Sequence, residues 1–124
     1  MAKSALVAIT DEALRKSFIM RFADAGYIID TPKTPEELVA MAQKERYNTY
    51  LGDINFQRPN TTQIEPFYQV WLLAKERVES GKAKFLTFTS NFEAEMEGTR
   101  LGIPVVNKLS RNALDRVIAL IDNQ

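Results

Sequence analysis

Asp53 carries the strongest chemical suggestion in this sequence. It closes the apolar run Tyr47 to Leu51 just after Gly52, and two other strand-like runs also end in polar groups. Thr10-Asp11-Glu12 closes the first run and Thr89-Ser90-Asn91 the fourth. If the strands are parallel and adjacent, these carboxylates and hydroxyls meet at one edge of the sheet, the edge where open α/β sheets bind ligands and do chemistry. The 124-residue chain has no histidine and no cysteine. Ser-His triads, histidine bases, histidine metal ligands, thiolate nucleophiles, disulfides and zinc-cysteine clusters are therefore excluded, and carboxylates, hydroxyls and lysine are what is left.

Such groups act together only if the elements carrying them converge. Ala5 to Ile9 reads as a buried strand, too short and too continuously apolar for a helix. Leu14, Phe18, Phe22 and Ala25 then recur at helical spacing until Gly26, and Tyr27 to Asp30 is a second, shorter strand. Thr34, Pro35 and Glu37 form a capping-box start for a helix whose apolar face is Leu38, Met41 and Ala42. Tyr47 to Asp53 is the third strand, and Asn55 to Gln63, with Pro59, a long loop. Phe67, Val70, Trp71, Ala74 and Val78 mark a helix stopped by Gly81; Trp71 belongs to the core on this stripe, not to a cofactor platform. Lys84 to Thr89 is the fourth strand, Phe92 to Leu101 an acidic helix ended by Gly102, and Ile103 to Val106 the fifth strand. Ser110 can cap a last helix with Leu114, Val117, Ile118 and Ile121 on its inner face.

Strict alternation of strands and helices implies a parallel sheet covered on both faces and wound through right-handed crossovers. For a single domain spanning residues 1–124, the expected architecture is a flavodoxin-like three-layer α/β sandwich: five strands in the order 2-1-3-4-5, with five helices. Its switch point lies between strands 1 and 3, which puts Asp11 beside Asp53.

With these residues placed, the chain resembles the receiver domain of two-component response regulators, the CheY-like family, from Ala5 to about Asp122. In that family a pair of acids follows strand 1, the phosphorylated aspartate ends strand 3, a threonine or serine ends strand 4 and a lysine follows strand 5. The segments Leu6 to Asp11, Leu51 to Asn55 with Asp53, Leu86 to Ser90 with Thr89, and Val105 to Lys108 occur here in that order. The resemblance implies that Asp53 is the phospho-acceptor. Mg²⁺ would be held by Asp11, Asp53 and the backbone carbonyl of Asn55, with Glu12 as a further candidate ligand. Lys108 would supply charge to the phosphoryl oxygens and Thr89 a hydroxyl donor that couples the site to helix 4, strand 5 and helix 5.

Three positions and one spacing depart from the family. Thr10 stands where the first acid of the pair is expected, removing one charge from a metal site. Leu109 follows Lys108 where the family has proline, Val105 occupies the position of the signalling aromatic with Phe88 no obvious replacement, and the stretch between Asp53 and Thr89 is longer than usual. Each functional residue also has a plainer reading. Asp53 alone could be a turn residue and Asp11 a helix cap, a role compatible with facing the cleft; Thr89 alone would be a strand-end hydroxyl and Lys108 a surface charge. Glu93, Glu95 and Glu97 read as a solvated face favourable to the helix dipole.

Sixteen basic and sixteen acidic residues give no global field favouring nucleic acid or membrane, and the arginines do not cluster. No signal-peptide layout or membrane-length apolar run is present, so a cytoplasmic location is expected. The expected function is a single-domain receiver, phosphorylated by a histidine kinase or phosphotransfer protein and acting on a downstream protein target, with no metabolic activity of its own. The alternative is a non-phosphorylated pseudo-receiver that serves as a protein-interaction module. A flavin carrier of the same topology is disfavoured, because Thr10-Asp11-Glu12-Ala13 lacks the hydroxyl and glycine run that wraps a phosphate.

Overall fold

The computed structural model describes residues 3–58, 61–109 and 113–122, apart from the side chains of Leu114 and Asp122. Ser110, expected as a cap, the Leu114 side chain and Pro59 lie outside that description. The elements alternate as β1 (Lys3–Ala8), α1 (Glu12–Asp24), β2 (Tyr27–Asp30), α2 (Pro35–Lys44), β3 (Thr49–Asp53), α3 (Glu65–Glu79), β4 (Lys84–Thr89), α4 (Phe92–Arg100), β5 (Val105–Asn107) and α5 (Ala113–Asp122). All strand pairs are parallel, in the order β2-β1-β3-β4-β5.

The period of two along the strands divides the core into two layers. From β1, Leu6 and Ala8 point to one face, where they join Tyr50 and Phe85 beneath Leu38 of α2, Phe67 and Trp71 of α3 and Ala94 of α4. Ala5, Val7 and Ile9 point to the other, with Leu51, Leu86 and Phe88 packed against Phe18 and Phe22 of α1 and Val117 and Ile121 of α5. Ala5 to Ile9 are all fully buried, which is why they read as one apolar run. Each large apolar side chain so buried contributes about 1.5–3 kcal/mol. Trp71 is core, edge-on to Phe85 at a centroid distance of 5.0 Å.

Local signals set most boundaries. Gly26, Gly81 and Gly102 follow α1, α3 and α4 at positive φ, where a side chain is strained. The α2 start differs in detail from a capping box: Thr34 Oγ1 accepts from Glu37 N at 3.0 Å, but the Glu37 carboxylate accepts from Lys33 N at 3.3 Å, not from the cap residue. Two strand starts also shift. Tyr47 is buried ahead of β3 with its amide donated to the Tyr50 hydroxyl, and β5 begins at Val105, because Ile103 N still bonds the α4 carbonyl of Gly98 and Pro104 has no amide to give.

Candidate functional site

Parallel pairing brings the ends of β1, β3, β4 and β5 to one rim, and the register sets their heights. Ala8 pairs with Gly52, Asp53 with Phe88, and Thr89 with Asn107. Gly52 is required for this. A Cβ there would lie 2.9 Å from the Ala8 carbonyl carbon and closer still to its oxygen, so any larger residue would push β1 away from β3 beside the acceptor position.

Asp53 is 3% exposed and both of its carboxylate oxygens are held. Oδ1 pairs with Lys108 Nζ at 2.5 Å, and Oδ2 accepts the Thr10 amide at 2.7 Å. A carboxylate this buried needs such partners, and these two come from the segments that follow β5 and β1. Lys108 also lies over the Phe88 ring, 5.0 Å from its centroid, a cation–π contact that fixes the amine above the strand end. Its segment is organised without proline: Lys108 N donates to Thr89 O at 2.8 Å, and Leu109 N, which a proline would lack, donates to Asn107 Oδ1 at 2.8 Å.

The other expected site residues take different partners. Asp11 is exposed and caps α1, its Oδ1 accepting Leu14 N at 2.8 Å. Glu12 pairs with Lys16 at 3.1 Å on the surface. Thr89 Oγ1 accepts Asn91 N at 3.0 Å and donates to Asn55 Oδ1 at 3.4 Å, a long bond, so its hydroxyl serves the start of α4 rather than Asp53. Asn55 is buried; its carbonyl accepts Arg58 N at 2.8 Å and its Nδ2 donates to Thr61 O at 3.1 Å. Glu95 and Glu97 are not simply solvated, for Glu95 accepts Asn107 Nδ2 at 3.1 Å and Glu97 is ion-paired to Arg100. That arginine is the main reason the Glu97 carboxyl sits below the usual range.

Three contributors were not evident as such in the sequence. Thr10, visible there only as a missing acid, gives its amide to Asp53 and receives Gln57 N on Oγ1 at 2.9 Å. Gln57 adopts a φ of 63°, so this bond steadies a strained turn beside the pocket. Phe88 supplies the face under Lys108. Val105 is half-buried and packs against the α2–α4 layer.

A hard divalent cation at this rim would draw on the Asp11 and Asp53 carboxylates and the Asn55 carbonyl, all oxygen donors of the kind Mg²⁺ takes. The donor type fits, with one acid fewer than a pair would give; among the described residues no group of three acidic side chains gathers to hold a metal. Among them, too, no helix is long and apolar enough to cross a membrane.

Neither a family model nor a curated protein sequence matches the chain. Solved structures do. The receiver domain of sensor histidine kinase PA1611 from Pseudomonas aeruginosa PAO1, with magnesium in its active-site cleft, superposes with a TM-score of 0.64 at 14% identity, covering 100% of both chains. Chemotaxis protein CheY4 of Vibrio cholerae gives 0.62 at 23% identity over 94% of this chain and 99% of its own. Response regulator TrrA of Thermotoga maritima, in complex with Mg²⁺ and BeF, gives 0.57 at 20% identity over 92% and 93%. From its strand order to its full-length superposition, the chain has the fold of response-regulator receiver domains.

Proposed function

We propose that the chain is a receiver that accepts a phosphoryl group on Asp53 and passes the change on through contacts with other proteins. The observation that carries this reading is the Lys108–Asp53 pair at 2.5 Å, formed by two residues far apart in sequence at the ligand-binding rim of the sheet. In the transfer, an Asp53 oxygen bonds to the phosphorus of an acyl or histidine phosphate as the donor's carboxylate or imidazole leaves with the electrons of the broken bond. Lys108, already against the carboxylate, shifts its charge to the phosphoryl oxygens, and the Thr10 amide holds the carboxylate in place. Mg²⁺ held by Asp11, Asp53 and the Asn55 carbonyl would neutralise charge on the transferred group. Thr89, one residue beyond the level of Asp53, supplies a hydroxyl once it leaves Asn55. The donor is a histidine kinase or phosphotransfer protein, the target a protein, and the location cytoplasmic.

The test is incubation with Mg²⁺ and acetyl phosphate followed by intact-mass analysis. One added phosphoryl group, absent in Asp53→Asn, is expected; no addition under saturating conditions overturns the reading.

A second reading, a pseudo-receiver that binds partners without phosphorylation, is favoured by the two protein donors that already occupy both Asp53 oxygens and by Thr10 in place of an acid. It requires negligible Mg²⁺ affinity and partner binding unchanged in Asp53→Asn.

A further inference from the structure

The rim of the sheet opposite Asp53 carries a separate constellation. Register alone brings it together. Lys3 pairs with Tyr27, Ala5 with Thr49, and Thr49 with Lys84. Paired residues in a parallel sheet point to the same face, and so do Lys3 and Ala5, two apart on one strand. Lys3, Tyr27, Thr49 and Lys84 therefore share one face where β2, β1, β3 and β4 begin. The α3–β4 turn, reversed at Gly81 with φ of 79°, adds Lys82 to the same mouth.

These residues line a cavity of about 150 Å³ together with Asn48. Among the lining residues the Tyr27 and Thr49 hydroxyls lie 3.4 Å apart, and both residues are buried. Asn48 Oδ1 is taken by the Ser4 amide at 2.8 Å, which leaves its Nδ2 as the group it can offer a ligand. The charge is one-sided. The ion pairs among the described residues are Lys16–Glu12, Arg100–Glu97 and Lys108–Asp53, so no carboxylate among the described residues is in pairing distance of Lys3, Lys82 or Lys84. Lys84 Nζ instead makes a long contact to the Leu120 carbonyl, at 3.4 Å.

We propose that this cavity is an anion site for a single phosphate or phosphomonoester group. Three lysines gathered around the side-chain amide of Asn48 recognise a dianion. The cavity offers the space of about five waters, room for one tetrahedral oxyanion. The site is independent of whether Asp53 is phosphorylated.

The experiment is a titration of the full chain with inorganic phosphate, followed by amide NMR, against chloride at matched ionic strength. Saturable shifts are expected at Asn48, Thr49, Gly81 and Lys82, distinct from any at Asp53 and Lys108. Lys3→Gln and Lys84→Gln should each weaken binding about fivefold, with the folded spectrum kept. Phenyl phosphate and vesicles containing phosphatidic acid then separate the two sources of the group: a soluble ester shifts the same amides, whereas a lipid headgroup is shown by lysine-dependent co-sedimentation. Shifts matched by chloride, shifts confined to the Lys108 rim, or affinity unchanged in both lysine variants would overturn the assignment.

Discussion

Removing Lys108 should cost more stability than removing the charge it pairs with. The pair is asymmetric: the Lys108 side chain is 31% exposed and that of Asp53 is 4% exposed. Unit charges at the observed 2.5 Å attract by about 7 kcal/mol at an effective dielectric constant near 20, and most of this is offset by the desolvation of the carboxylate. In Lys108→Met the buried carboxylate keeps only the Thr10 amide as partner, and we expect a loss of about 3 kcal/mol. In Asp53→Asn the lysine turns to water and the Thr10 amide keeps a carbonyl acceptor, so the loss should be about 1 kcal/mol. The double variant removes the stranded charge and should fall between them, giving a coupling of about 2 kcal/mol. Denaturant unfolding of the four proteins measures each term, and in thermal melts about 3–5 °C corresponds to each kcal/mol at this chain length. If Lys108→Met costs no more than Asp53→Asn, or the coupling is below about 0.5 kcal/mol, the pair is a surface contact and the lysine does not sustain the buried carboxylate.

Three further outcomes follow from particular contacts. Gly52→Ala forces a methyl onto the Ala8 carbonyl across the β1–β3 ladder and should destabilise by about 2–3 kcal/mol; a loss under about 0.5 kcal/mol in denaturant unfolding would show that the strands separate freely. Burial, and then the bond from the Tyr47 hydroxyl to Asp30 Oδ2 at 2.6 Å, raise the Tyr47 phenol far above its ordinary range. Its contribution to stability is whole below the unfolded-state value of about 10 and is lost as pH rises toward the higher folded value, so stability should decline in alkali and decline less in Tyr47→Phe; parallel declines would remove Tyr47 as the cause. Thr10→Asp restores the missing acid, and if Asp11 and Asp53 hold Mg²⁺ it should tighten binding by about tenfold in calorimetry. Equal affinities in the two proteins would mean that the ion does not sit beside residue 10.

The fold was legible because its signals are local and redundant. Ala5 to Ile9 is buried on both faces and so reads as a continuous apolar run, and glycines close three helices at positive φ. Boundaries moved where the backbone had another partner: Ile103 bonds back to α4, and the Glu37 carboxylate reaches Lys33. At the rim, the Lys108–Asp53 pair follows from strand order. What the order of residues does not encode is which donor each oxygen receives. The Thr10 amide at Asp53 Oδ2 belongs to the main chain and leaves no trace in residue type, and Thr89 serves Asn55 and Asn91 because it stands one residue past the level of Asp53.

The departures from the receiver pattern are linked physically. An acid at position 10 would add a second negative charge beside a carboxylate that is 3% exposed, and a cation would have to offset it. Threonine removes that charge while its hydroxyl accepts the amide of Gln57, tying the end of β1 to the turn after β3. Leucine at 109 keeps an amide that closes on Asn107, so the lysine segment is fixed by a side-chain bond where a proline ring would have fixed it. Lys108 touches both the Asp53 carboxylate and the Phe88 ring, and in the proposed reading it links a change of charge on Asp53 to the core. The lysine can leave the ring to follow new phosphoryl oxygens, and Phe88 lies in the layer packed against α1 and α5. A signal starting at Asp53 would then leave through the α1–α5 side of the sheet: with Mg²⁺ and acetyl phosphate, amide NMR shifts in α1 and α5 are expected in the parent chain and should shrink in Phe88→Leu, and equal shifts in the two proteins would refute this route.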